Sequence, residues 1–283
     1  KYAKVYDLTT FLDMKDWISF INYIIKKNNI NLIFNSNSQF GYSILPYLKA
    51  KYPEIPIVDF VHMEEMYVRK GGFARDSSIN QKVIDRTFTC NENTREIFLR
   101  KFNRKKTEVK TIYIGVDEEK FDPNKYDKQD IFNELNTPKL NLGKYIISYI
   151  CRISEQKRPF LFFEVIKKLA KIRDDFAVIV AGDGPMLSEL KNKVYKEKLD
   201  QYFVFLGNVK NTEKLYKISD LTINTSIKEG IALTSYESLS MGVPVVSSDV
   251  GGQSELITED VGVIVPCIQL EKDILNFNYE EEE

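Results

Sequence analysis

The candidates for chemistry are two carboxylates and two cations. Glu229 and Glu237 stand eight residues apart in the run KEGIALTSYESLSMGVPVVSSDVGGQSELI (228–257). The preceding LTINTS reads as a strand and Glu229-Gly230 as a turn, and a helix is expected to begin near Leu233 or Thr234. A helix N-terminus offers unpaired amides and the positive end of a dipole, which suits a phosphate. Glu237 falls about one turn inside that helix, so one carboxylate sits at the mouth of a strand-end crevice and the other lies deeper. Carboxylates so placed suit hydroxyl donors, such as a sugar presents. Spacing alone leaves a plainer alternative open, with Glu229 a dipole partner and Glu237 a solvated helix residue.

The cations lie in YICRISEQKRP (149–159), where Arg152 and Lys157 bracket a short loop between a strand and a helix whose first turn holds Pro159. There they could neutralise a diphosphate, Arg by its fork and Lys as a point charge. A solvated basic turn is the competing account. The AGDGP stretch (181–185) lacks the GxGxxG and GK[ST] patterns of phosphate loops. It reads as a strand-to-helix turn, with glycine supplying positive φ and Pro185 at the first helical position. The adjacent acids Asp174 and Asp175 fall in a helix-to-strand turn and read as surface, so no metal site is expected.

These side chains must be held by strands and helices in alternation. Short runs rich in Val, Ile and Phe recur at 31–35, 55–61, 86–90, 109–114, 144–150, 176–182, 202–207, 221–226, 243–249 and 261–266. Nearly continuous apolar runs fit strands covered on both faces, as in a parallel sheet. Helical stretches lie between them, at 15–28, 40–51, 92–102, 159–173, 185–198 and 234–241. The alternation predicts right-handed βαβ units and a doubly wound α/β architecture. Its one interruption, polar and proline-containing, runs from Gly115 to Leu142 and reads as an interdomain connection. The expected division is a domain over 1–122, a connection over 123–142 and a second domain over 143–283. Ligands of such sheets bind at the carboxyl ends of strands, so the cleft between the domains is the expected site.

Composition narrows the class. The 283 residues are 43% hydrophobic and 29% charged, with 40 basic and 41 acidic side chains for a formal net charge of -1. That balance argues against a nucleic-acid binder. Cys90, Cys151 and Cys267 are scattered and odd in number, unlike a disulfide scaffold. No spanning segment or signal peptide is evident, so a cytoplasmic chain is expected, with peripheral contact at the inner membrane face left open. Both ends read as cut.

Five segments in order resemble the signature of the family-4 (group 1) retaining glycosyltransferases. EGIALTSYE with GVPVVSSDVGGQSELI matches EGFGxxxxE followed by GxPVVxSxxGGxxE. ICRISEQKRP is similar to GRLxxEKG, AGDGP to GxGP, FLGNVKNTEKLYKISDL to FLGxVxxxELxxxYxxAD, and IGVDEEKFDP to NGVDxxxFxP. The resemblance runs from about residue 30 to 266. It implies the GT-B fold, two Rossmann-like domains facing a cleft, and transfer of a hexosyl unit from a nucleotide-diphosphate sugar, the UDP form being the commoner choice. The acceptor would be a glycan, lipid-linked or protein-linked hydroxyl, as in polysaccharide biosynthesis, with no cofactor beyond the donor.

On that resemblance Arg152 and Lys157 would hold the donor diphosphate and Glu229 the hydroxyls of the transferred sugar. Gly230 and Ile231 would form the turn beside the sugar, and the amides of Ala232, Leu233 and Thr234 would face sugar and phosphates. Glu237 would take the ribose hydroxyls, and Val209 would lie beside the base. His62, the sole histidine, would face sugar and diphosphate across the cleft; a surface histidine is the alternative. Transfer would be metal-independent, the departing phosphate taking the acceptor's proton. Ile231-Ala232 departs from the usual Phe-Gly. The family's opening strand and glycine-rich loop have no clear counterpart in KYAKVYDLTT, and the returning C-terminal helix is missing after Asn276, so the N-terminal domain reads as incomplete. A non-catalytic GT-B-like subunit and a nucleotide-sugar epimerase are the other readings.

Overall fold

The computed structural model describes residues 3–63, 65–66 and 70–268. Ten parallel strands among them form two sheets. The first sheet runs β1 (Ile33–Ser36), β2 (Ile57–Val61), β3 (Arg86–Thr89) and β4 (Val109–Thr111) in that order. The second holds β5 (Tyr145–Ile150), β6 (Phe176–Ala181), β7 (Phe203–Gly207), β8 (Leu221–Asn224), β9 (Val245–Ser248) and β10 (Gly262–Val265). Its order is β10-β9-β8-β5-β6-β7, so the chain winds outward from β5, returns, and winds outward on the other side. The reversal between β5 and β8 is the switch point at which such sheets bind ligands.

The helices of the N-terminal unit are α1 (Trp17–Lys27), α2 (Gln39–Lys51), α3 (Gly72–Ile79) and α4 (Glu92–Lys101). Those that follow are α5 (Lys128–Leu135), α6 (Pro159–Leu169), α7 (Leu187–Lys196), α8 (Thr212–Ile218), α9 (Leu233–Ser240) and α10 (Gln253–Leu256). Every expected strand is present, and every expected helix, with ends moved by a few residues. Pro159 occupies the first turn of α6 as expected, but Pro185 stands before α7 rather than at its first position.

The second sheet is apolar on both faces, as its continuous runs require. Alternate residues of β5 and β6 feed opposite cores: Ile146, Ile150, Ala177 and Ile179 on one side, Ile147, Tyr149, Phe176 and Val178 on the other. Tyr149 stacks on Phe162 of α6 with ring centroids 4.0 Å apart. The stretch expected to be a connection is more than a tether. It carries α5, capped by Asp127, whose carboxylate accepts from the amides of Gln129 and Asp130. Phe121, Ile131, Phe132 and Leu140 enter the core of the second sheet.

Residues 3–10 contain no strand, only a 3-10 turn at Leu8–Thr10. The expectation for the chain after Asn276 lies outside the described residues, as does the last part of the expected second domain. Among the described residues no helix is long and apolar enough to cross a membrane.

Candidate active site

The loop after β5 and the loop after β8 belong to neighbouring strands and are tied together by buried polar groups. Tyr149 donates from its phenol to the Lys157 carbonyl at 2.6 Å, and Thr225 donates to the same oxygen at 2.7 Å. Buried Arg158, in a left-handed conformation at φ 49, donates to the Thr225 carbonyl at 2.6 Å and to Ser248 Oγ at 2.9 Å. Gln156 accepts from the Ile227 amide at 2.9 Å and donates to the Lys228 carbonyl at 2.9 Å. This lacing brings Lys157 against Glu229, 72 positions away, in an ion pair. Ser226 donates to the same Glu229 oxygen at 2.6 Å. Glu229 is buried, so the pair and the hydroxyl together offset the loss of water around its charge.

Beside this pair, at the carboxyl ends of β5, β6 and β7, opens a cavity of about 650 Å³. Arg152, Val209, Thr234 and Glu237 line it, with Asn208 and Thr212. So do Gly182, Asp183, Gly184 and Pro185, a stretch whose sequence predicts only a strand-to-helix turn. Gly182 adopts φ 138, and a Cβ there would fall 1.8 Å from the Cys151 carbonyl. The turn therefore packs directly on the Arg152 loop and forms a wall of the cavity. Helix α9 begins at Leu233 with Ala232 in the capping position, which supplies no side-chain acceptor. The Ser235 amide donates to the Ala232 carbonyl at 3.0 Å, and the amides of Leu233 and Thr234 are the ones open to water or a ligand.

Glu237, half-buried inside α9, accepts from the Tyr216 phenol at 3.1 Å. Burial raises its pKa, an effect that the Tyr216 hydrogen bond and Lys120 oppose. Burial likewise holds the Cys151 thiol at about 12, so that lining residue is an uncharged wall.

Glu229, Gly230, Ile231 and Ala232 are buried and do not line this cavity. Gly230 faces the N-terminal unit: a Cβ would lie 2.0 Å from the His62 carbonyl and 2.9 Å from Cys90 Sγ. Only glycine permits this approach. Cys90 donates from its thiol to the His62 carbonyl at 2.6 Å, and burial pushes that thiol up to about 11. His62 itself is half-buried beside Gly230, its Nε2 3.1 Å from Ser36 Oγ, and desolvation lowers its pKa. Leu233 is exposed and Thr234 reaches the cavity.

The structure therefore brings the expected residues into three adjoining groups. Arg152, Val209, Thr234 and Glu237 share the cavity, Lys157 and Glu229 form its neighbouring ion pair, and His62 and Gly230 make the contact across the cleft. Asp175 is engaged by Arg173 at 2.5 Å on the surface. Among the described residues no group of three His, Cys, Asp or Glu side chains could hold a metal ion.

The family described as "Glycosyl transferases group 1" matches residues 130–275, more than half of the 283. This chain belongs to the group 1 glycosyl transferases. It is 35% identical over 167 residues to the lipopolysaccharide core biosynthesis mannosyltransferase LpsB of Rhizobium meliloti (strain 1021), covering 56% of this chain and 46% of that one. It is 27% identical over 242 residues to the alpha-monoglucosyldiacylglycerol synthase of Streptococcus pneumoniae, covering 79% and 53%. The chain thus spans about half the length of these relatives. A glycosyltransferase from Rickettsia africae has the same fold, with a TM-score of 0.76 at 20% identity over 99% of this chain and 76% of that one. Anabaena Alr3699/HepE, solved with UDP, gives a TM-score of 0.73 at 18% identity, covering 90% and 70%. The architecture is GT-B, as the motifs led one to expect.

Proposed function

We propose that this group 1 chain is the catalytic portion of a retaining hexosyltransferase that uses a nucleotide-diphosphate sugar, with UDP as the favoured nucleotide. The observation that carries this reading is the convergence of Arg152, Thr234 and Glu237 on one strand-end cavity, with the Lys157–Glu229 pair at its side. A cavity of about 650 Å³ is of the size that holds a small ligand. The UDP carried by Alr3699/HepE supports the choice of nucleotide, and the mannosyltransferase name of LpsB supports hexosyl transfer.

In the proposed mechanism the diphosphate lies between Arg152 and the uncapped start of α9, and draws Lys157 away from Glu229. The freed carboxylate accepts hydroxyls of the transferred sugar, Glu237 those of the ribose, and Val209 and Asn208 flank the base. The bond from the anomeric carbon to the diphosphate breaks as the acceptor hydroxyl attacks from the same face. The departing phosphate oxygen takes the acceptor's proton. Charge on the leaving group is met by Arg152, Lys157 and the α9 amides, preorganised donors of the kind that lower such barriers, without recourse to a divalent ion. His62 faces the sugar from the N-terminal unit. The acceptor is a glycan, lipid-linked or protein-linked hydroxyl, and the reaction belongs on the cytoplasmic side, at or near the inner membrane face.

The test is a panel of UDP-, GDP- and ADP-sugars incubated with the full-length protein, with product analysis in the presence and absence of chelator. Release of nucleotide diphosphate from a UDP-sugar, undiminished by chelator, is the expected result. Failure of every donor, with no nucleotide bound, points instead to a non-catalytic subunit.

A further inference from the structure

Glu255 ends the GGQSE run and has no part in the chemistry above. It stands in α10, in the C-terminal unit, yet its carboxylate is spent wholly on the N-terminal unit. Oε2 accepts from the Glu92 amide at 2.8 Å, Oε1 from the Asn93 amide at 2.9 Å, and Tyr113 donates its phenol to Oε2 at 2.8 Å. Glu92 and Asn93 are the first two residues of α4. The next amide, that of Thr94, is taken by the side chain of Asn91 at 2.6 Å, and the Arg95 amide reaches the Asn91 carbonyl at 3.3 Å. All four amides that open α4 are thereby accounted for, and the two outermost find their acceptor only across the cleft.

The same short segment reaches the sugar-side loop. The Gly252 amide donates to the Gly230 carbonyl at 2.6 Å, and Gly251 packs on the Glu229 carbonyl. Gly252 in turn lies against the Asn91 side chain. The 251–255 segment is therefore a strut with one end on α4 and the other on Glu229-Gly230.

We infer that Glu255 is a positioning residue, a latch that holds the two units closed and so sets His62 against Gly230. Its carboxylate completes the α4 cap only in the closed arrangement; on opening, the two amides and the charge return to water. Its consequence for transfer rests on the reading above, but closure itself is measured without turnover, so the two ideas can fail separately.

The experiment is hydrogen exchange on the whole chain, following segments 91–95 and 229–232. In Glu255→Ala both segments are expected to exchange about tenfold faster or more, as loss of charge-assisted hydrogen bonds implies. A second pair guards against misfolding of that variant. Glu92→Pro removes one donor while leaving Glu255 intact, and Asn91, at φ -156 and ψ 161, already has the extended backbone a following proline needs. Glu92→Ala keeps the amide and controls for the lost side chain. Glu92→Pro should accelerate 229–232, and Glu92→Ala should not. Faster exchange confined to 91–95, with 229–232 unchanged, would reduce Glu255 to a local helix cap and overturn the inference.

Discussion

The two units solve the same architectural problem with different interiors. The C-terminal sheet is a six-stranded layer between two large apolar cores, and every residue of β6 is buried. The N-terminal sheet has four strands and three small clusters. Between its strands and helices lie Asp59, Ser77, Thr87 and Arg104, all buried and polar. Tyr42 donates to Asp59 at 2.9 Å, and burial raises the pKa of both groups. The difference assigns labour. The C-terminal unit buries polar groups as well, the hydroxyls of Ser148, Thr222 and Ser238 bonding in series, but it holds them beside much larger apolar cores. In the proposed reading this unit fixes the polar groups of the donor site, while the other supplies a face that meets them.

That comparison is open to attack at several points. Phe162→Ala removes a fully buried ring stacked on Tyr149, whose phenol holds the Lys157 carbonyl. It should cost about 3–5 kcal/mol of stability and weaken UDP binding as well. Phe98→Ala, equally buried in the N-terminal unit, should cost a similar amount and leave UDP affinity nearly unchanged. Calorimetric melting with and without UDP separates the two, and equal losses of affinity would dissolve the division.

Within the site, Glu229→Ala should abolish transfer. Lys157→Ala should lose roughly 2–4 kcal/mol of transition-state stabilisation, by analogy with removal of one oxyanion donor. Steady-state kinetics with a UDP-sugar checks both, and full turnover in either variant removes that residue from the mechanism. Glu237→Ala should act more mildly, raising the KM for donor by about 1–3 kcal/mol equivalent through two lost hydroxyl contacts, with kcat nearly kept.

The smallest effect concerns His62. Its pKa is lowered by burial, so between that value and 6.5 the unfolded chain binds more protons than the folded one. Its contribution therefore makes stability rise with pH through that window. Asp59 and Glu237, raised by burial, act in the opposite sense above their ordinary carboxylate values. The difference in stability between wild type and His62→Gln, followed by denaturant titration from pH 5 to 7.5, isolates the histidine. A flat difference would mean that His62 is no more desolvated folded than unfolded.

Much of this was legible in the residues themselves. Strands buried on both faces announce themselves as unbroken apolar runs, which is why all ten were found. Helices without a clear apolar stripe did not. GFARDSSI in α3, the seven residues of α8 and the four of α10 are too short or too polar to show a period, and α5 hid within a stretch rich in Asp and Asn. In the site, residue types and local spacing left Glu229, Glu237, Arg152 and Lys157 indistinguishable from ordinary surface residues, and the family resemblance singled them out. Their contacts did not show, because the Lys157–Glu229 pair joins loops that only the strand order β5-β8 makes neighbours. Glu255 was silent for the same reason: its partners lie more than 140 positions away. AGDGP has the sequence of a turn, and only its close approach to Cys151 in the folded chain makes it a cavity wall.

The most direct test of the central claim is titration calorimetry of UDP into the wild-type protein and the Arg152→Ala and Glu237→Ala variants. The account predicts that UDP binds the wild type and that each variant binds it more weakly. Absence of binding to the wild type, or equal affinity in all three, would contradict the placement of the nucleotide diphosphate in this cavity.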